Sequence, residues 1–135
     1  MILVDTSAWI ELLRATGHPA HLTLKHHLER RSPIATTEVV VMELLAGVSE
    51  TSRRTRLKRR LLEIPLLRLR GLSDFENAAE MYRSCRRRGA TVRKLVDCLI
   101  ATVAIRERAA LLHNDRDFDA LRRHAHLRVE PYVKV

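Results

Sequence analysis

The chain alternates short apolar runs with longer stretches of helical periodicity. Met1-Ile2-Leu3-Val4 is too brief for a helix and is expected to form a buried strand. Trp9, Ile10, Leu12 and Leu13 then mark a helix from Ser7 to about Arg14, with Thr6 or Ser7 as its cap. Gly17-His18-Pro19 breaks that pattern, and a second helix is expected from Ala20 to Arg30. Ile34 to Thr36 reads as a short strand. Thr36 or Thr37 can cap a helix running through Ala46, with Gly47 suited to its end. Thr51 to Glu63 reads as a basic helix with Leu57, Leu61 and Leu62 inward, stopped by Pro65, and Leu66 to Leu69 as a strand.

Ser73 and Glu76 have the spacing of a capping box, opening a helix that carries Phe75, Ala78, Ala79, Tyr82 and Cys85 and closes at Gly89. Leu95 to Ile105 is apolar on nearly every face, the pattern of a central buried helix. Ala110 to His113 is expected as a strand, Asn114 to Asp117 as a loop, Phe118 to Arg123 as a short helix and Leu127 to Val129 as an edge strand. Strands alternating with helices predict an α/β fold with a mainly parallel sheet covered by helices. At this length residues 1–135 are expected to make a single domain with one core.

Composition narrows the class. The 46% hydrophobic fraction suits a globular fold, and the 4% aromatic fraction leaves the core to Leu, Val, Ile and Ala. A formal charge of +9, from 25 Lys and Arg against 16 Asp and Glu, favours a polyanionic partner, nucleic acid first. A solvated basic surface explains the same charge without a partner. Cys85 and Cys98 are too few and too isolated for a disulfide framework or a zinc site. No apolar run approaches a membrane span, and Asp5 interrupts the N-terminal run with no basic segment before it, so a cytoplasmic protein is expected.

Four acids stand in settings where acids are unusual. Asp5 ends the first strand, the position at which open α/β sheets build their sites. Glu43 lies mid-helix with Val39, Val40, Ala46 and Gly47 three and four residues away. Asp97 opens the most apolar helix, and Asp115 follows the third strand after His113-Asn114. Each alone has an ordinary explanation as a cap or a surface residue. A buried, unpaired carboxylate costs several kcal/mol, so a convergent set needs a cation. Oxygen-only ligands favour Mg²⁺ or Mn²⁺ over Zn²⁺, and such a cluster can activate water at a phosphodiester. Spacing alone does not establish that they converge.

Val4-Asp5-Thr6-Ser7-Ala8-Trp9, Met42-Glu43-Leu44-Leu45-Ala46-Gly47, Asp97-Cys98-Leu99-Ile100-Ala101 and Asn114-Asp115-Arg116-Asp117-Phe118 together resemble PIN-domain nucleases, and most closely the VapC-type toxin ribonucleases. The likeness spans essentially the whole chain. It implies a three-layer α/β/α PIN-like domain, Mg²⁺ or Mn²⁺ dependence and endonucleolytic RNA cleavage. By the resemblance, Asp5, Asp97 and Asp115 would be metal ligands, and Glu43 would complete the catalytic acids by orienting or deprotonating water. Asp117 would assist Asp115 or replace it, and Thr6, Ser7 and Asn114 would support the acids through hydrogen bonds. The resemblance further implies a homodimer, a cognate VapB-type antitoxin and no membrane partner.

Six of the eight residues from Arg53 to Arg60 are basic, and Arg86-Arg87-Arg88 forms a second run. Arg93 and Lys94, just before Asp97, are the stronger candidates for RNA contact. No aromatics interleave with these runs, which argues against a base-stacking platform. The seven histidines show no ligand pattern, and His26, His27, His124 and His126 are expected on the surface. His113 is expected to end a strand, and Trp9, Met42 and Met81 to pack in the core. A dehalogenase-type phosphatase would need an acid two residues after Asp5, where Ser7 stands, and no convincing mid-chain aspartate supports a signal receiver. A non-catalytic basic RNA-binding module explains the charge but gives Glu43 and Asp97 no role.

Overall fold

The computed structural model describes residues 1–134. Three parallel strands, β1 (Ile2–Val4), β2 (Ile34–Ala35) and β3 (Ala110–Leu112), form a sheet in the order β2-β1-β3. The helices among the described residues are α1 (Thr6–Leu13), α2 (Pro19–Glu29), α3 (Glu38–Ala46), α4 (Thr51–Leu61), α5 (Leu72–Arg87), α6 (Leu95–Arg106) and α7 (Arg116–His124). They give the domain its three-layer α/β/α construction. α1 packs on α2 and α3, while α5, α6 and α7 pack on one another and α6 also meets β3.

The strands are short because their sequence runs are short, and each is inward-facing: Leu3, Val4, Leu111 and Leu112 are fully buried. Central β1 pairs with β3 in the register Ile2 with Ala110, Leu3 with Leu111 and Val4 with Leu112. The Asp5 amide extends this ladder by donating to the Leu112 carbonyl at 2.9 Å. Residues more than 100 apart in sequence therefore leave the sheet side by side at its carboxyl end. With β1 between its two neighbours, this is the crevice that a topological switch point opens in an α/β sheet.

α6 is the expected central helix. Every residue from Asp97 to Ala104 is buried, and Ile100, Ala101, Val103 and Ala104 have no exposed surface. α7 begins at Arg116, two residues earlier than its apolar pattern starts, because the Asp115 side chain caps it by accepting from the Asp117 amide. Asp117 therefore lies in a helix rather than in the expected loop. At α1 the cap is Asp5, not Thr6 or Ser7: its carboxylate accepts from the Ser7 amide in extended backbone geometry.

Other local expectations are corrected by tertiary context. Leu66 to Leu69 and Leu127 to Val129 contribute only single bridges, Thr36 with Leu66 and Leu111 with Val129. Ser73 and Glu76 form no capping box. α5 starts two residues earlier, capped at Gly71, and Asp74 instead accepts from the Arg70 amide while the Ser73 hydroxyl donates to the Arg70 carbonyl. Leu62, Phe75 and Met42 keep the helical spacing but are exposed, at 69%, 50% and 60%. Trp9, Cys85 and Cys98 are buried as expected. His27 is half-buried, its Nε2 3.4 Å from Glu130.

The α5–α6 contact contains a buried ion pair. Arg106 donates through Nε and Nη2 to the Asp74 carboxylate at 3.1 and 2.8 Å, and also reaches the Arg68 carbonyl. Asp74 is only 1% exposed, so losing its cation strands a charge. Arg106→Met is expected to destabilise the domain by about 3–5 kcal/mol in denaturant unfolding. A loss below about 1 kcal/mol would show that Asp74 reaches water without its partner.

Candidate metal centre

At the carboxyl end of the sheet, β1 delivers Asp5 and β3 leads through His113 and Asn114 to Asp115. Asp97 is placed on the first turn of α6, where a helix N-terminus favours negative charge. α7 contributes Asp117. One carboxylate oxygen each from Asp97, Asp115 and Asp117 lies within 4.8 Å of the others. Asp5 and Glu43 stand outside this triplet; the Asp5 charge acts on Asp97, and the Glu43 charge acts on Asp5.

Hydrogen bonds fix the surroundings. The Ser7 hydroxyl donates to Asp5 Oδ2 at 2.5 Å and accepts from the Asn114 amide at 2.8 Å, tying the ends of β1 and β3 together. The Thr6 hydroxyl donates to Glu43 Oε1 at 2.7 Å, which anchors the α3 acid to α1. Asn114 Nδ2 turns outward to Glu11. Asp117 is 2% exposed, and its two oxygens accept from the Arg93 and Lys94 amides at 3.1 and 3.0 Å. It holds the entrance to α6 and thus the position of Asp97. By the resemblance Asp117 reads as an assistant to Asp115 or its replacement, and nothing in the sequence signals this anchoring.

Arg93 and Lys94 are not free basic residues beside the site. Arg93 Nη2 lies 2.8 Å from Asp115 Oδ1 and its Nε 3.1 Å from Asp117 Oδ1. Lys94 Nζ lies 3.0 Å from Asp115 Oδ2 and 3.7 Å from Asp97 Oδ2. The latter oxygen is buried and has no hydrogen-bond partner among the described residues.

This environment separates the acids. Burial first, then the Asp117 carboxylate beside it and the charge on Asp5, push Asp97 up to about 8. Burial is also the main cause for Asp5, which is raised to about 6 despite the opposing hydrogen bonds from Ser7. Asp115 and Asp117 are penalised by burial too. For Asp115 the Asp117 amide and the Lys94 ammonium outweigh that penalty; for Asp117 the Asp97 carboxyl first, then the Arg93 and Lys94 amides, do so, and both acids are held below the usual carboxylate range. His113 is buried and its pKa lowered, chiefly by desolvation. Its Nδ1 accepts from the Asp115 amide, so it positions that acid's backbone.

A buried carboxylate oxygen without a partner, in an all-oxygen donor set, fits a hard divalent cation. The PIN domain model matches residues 2–124. The chain is 42% identical over 133 residues to the VapC ribonuclease Mb1587 of Mycobacterium bovis, covering 98% of this chain and 99% of that protein. The same figures hold for ribonuclease VapC11 of Mycobacterium tuberculosis. In fold it is similar to the DNA-bound VapBC of Salmonella typhimurium, with a TM-score of 0.74 at 17% identity over 96% of each chain. The chain belongs to the PIN-domain family and is of the VapC type.

Proposed function

We propose that this protein is a Mg²⁺- or Mn²⁺-dependent endoribonuclease, the toxin of a toxin–antitoxin pair. The observation that carries the reading is the buried Asp97, with an unpartnered oxygen, gathered with Asp115 and Asp117 beside Asp5 and Glu43. As a surface or capping residue Asp97 would have no reason to be buried at 2% exposure. The two relatives at 42% identity are both described as VapC ribonucleases.

Asp5, Asp97 and Asp115 would hold the metal, and Asp117 would keep the α6 entrance in place. When bound, a divalent ion would lower the pKa of water and stabilise negative charge on the phosphate. Glu43, with one oxygen fixed by Thr6, would use the other to orient the attacking water and accept its proton. The outward faces of Arg93 and Lys94 would meet RNA phosphates, making binding salt-dependent. A cognate VapB-type antitoxin would cover this acidic pocket with its C-terminal segment, and the toxin would act as a homodimer in the cytoplasm. Among the described residues no helix is long and apolar enough to cross a membrane.

The test is incubation of total RNA with purified, antitoxin-free protein in Mg²⁺ or Mn²⁺ and in EDTA. Discrete fragments are expected with metal and none with EDTA. Cleavage that persists in EDTA would overturn the metal reading, and RNA binding without cleavage would favour a non-catalytic module.

A further inference from the structure

We infer that Lys94 is a built-in second cation of the acidic site, so that the site takes one divalent ion rather than two. The inference rests on the metal reading above. Two-metal nucleolytic sites place their ions about 3.5–4 Å apart, joined by shared carboxylates. Here Lys94 Nζ already stands between two of the acids, 3.0 Å from Asp115 Oδ2 and 3.7 Å from Asp97 Oδ2. A second ion shared by the same two acids would have to occupy the space of the ammonium.

The placement is built from the backbone outward. Lys94 is the residue immediately before α6, and its amide is held by Asp117 Oδ2 at 3.0 Å. The preceding amide and guanidinium, both of Arg93, are held by Asp117 Oδ1, and Arg93 also occupies Asp115 Oδ1 at 2.8 Å. Both oxygens of Asp115 and both of Asp117 therefore have partners. The buried Asp97 Oδ2 has no hydrogen bond, with the ammonium just beyond that distance. What remains open is a single cation position beside Asp97 Oδ2, where Asp115 would share its oxygens between the ion and the ammonium and the Asp5 charge still acts. The Lys94 side chain is 52% exposed, so its ammonium can meet a phosphate oxygen from solvent while staying on Asp115. It supplies positive charge there without any metal affinity of its own.

The experiment is Mn²⁺ titration of the purified protein by calorimetry and electron paramagnetic resonance, for wild type, Lys94→Met and Lys94→Arg, with circular dichroism to confirm folding. Wild type is expected to bind one Mn²⁺. Lys94→Met is expected to bind two, with the spin–spin coupling of neighbouring ions. Lys94→Arg, which keeps the charge, is expected to stay at one. Two ions in wild type, or one in folded Lys94→Met, would overturn the inference. No Mn²⁺ bound by wild type would overturn the metal reading itself and this inference with it.

Discussion

Asp97→Asn is expected to lower RNA cleavage by about a thousandfold while raising the thermal stability of the metal-free protein. The two effects have one origin. Asp97 is 2% exposed and has an unpartnered oxygen, and burial pushes its pKa up to about 8. Without a metal, this raised pKa costs folding stability that grows as pH rises from the ordinary 3.8 towards about 8, because the unfolded chain gives up a proton that the folded one must keep. The asparagine amide keeps the shape and removes that titration. EDTA-treated variant should therefore melt higher than EDTA-treated wild type, by about 4 °C for each kcal/mol relieved. The cleavage assay and a thermal melt on the same two proteins check both halves. A residue that only complements the helix N-terminus would behave in the opposite way: its asparagine variant would cut RNA normally and melt slightly lower. That result would remove Asp97 from the site.

The acids themselves were legible in the sequence, because each breaks an apolar pattern. Asp5 ends the run Ile2–Val4, and Asp97 interrupts the most apolar helix. Their meeting was not legible from spacing, since it depends on β3 pairing beside β1 across more than 100 residues and on α6 packing against β3. The family resemblance supplied it. The resemblance set Asp117 as an assistant to Asp115 or its replacement, and the fold gives the two different tasks: Asp117 grips the Arg93 and Lys94 amides, and Asp115 caps α7 and takes the ammonium. Nearness to Asp97 marked Arg93 and Lys94 as basic residues of interest, but only the geometry shows them paired with the acids. The same limit explains Leu62, Phe75 and Met42. Helical periodicity identifies a shared face but does not say whether the fold covers it, and these three are exposed. Cap assignment failed for a related reason. At α1, Asp5 outcompetes Thr6 and Ser7 because the end of β1 holds it in the extended geometry an N-cap requires.

Divalent-ion affinity is expected to fall about tenfold for each pH unit below about 8, and more steeply below about 6. In the metal-free protein Asp97 holds its proton up to about 8, through burial first and then through Asp117 and Asp5. Asp5 holds its own up to about 6, again chiefly through burial, with the Glu43 charge adding to it. A cation that uses these oxygens must displace those protons. Because both pKa values are raised, acidification works against the metal: one proton opposes binding between about 6 and 8, and two below. Asp115 and Asp117 add nothing to this dependence, since their contacts hold them ionised across the same range. Calorimetry with Mn²⁺ at pH 7, in two buffers of different ionisation enthalpy, should report about one proton released per ion bound. Asp97→Asn should release close to none at that pH with whatever affinity remains. An affinity flat between pH 6 and 8 would mean that the ion binds without Asp97, through acids that are already charged.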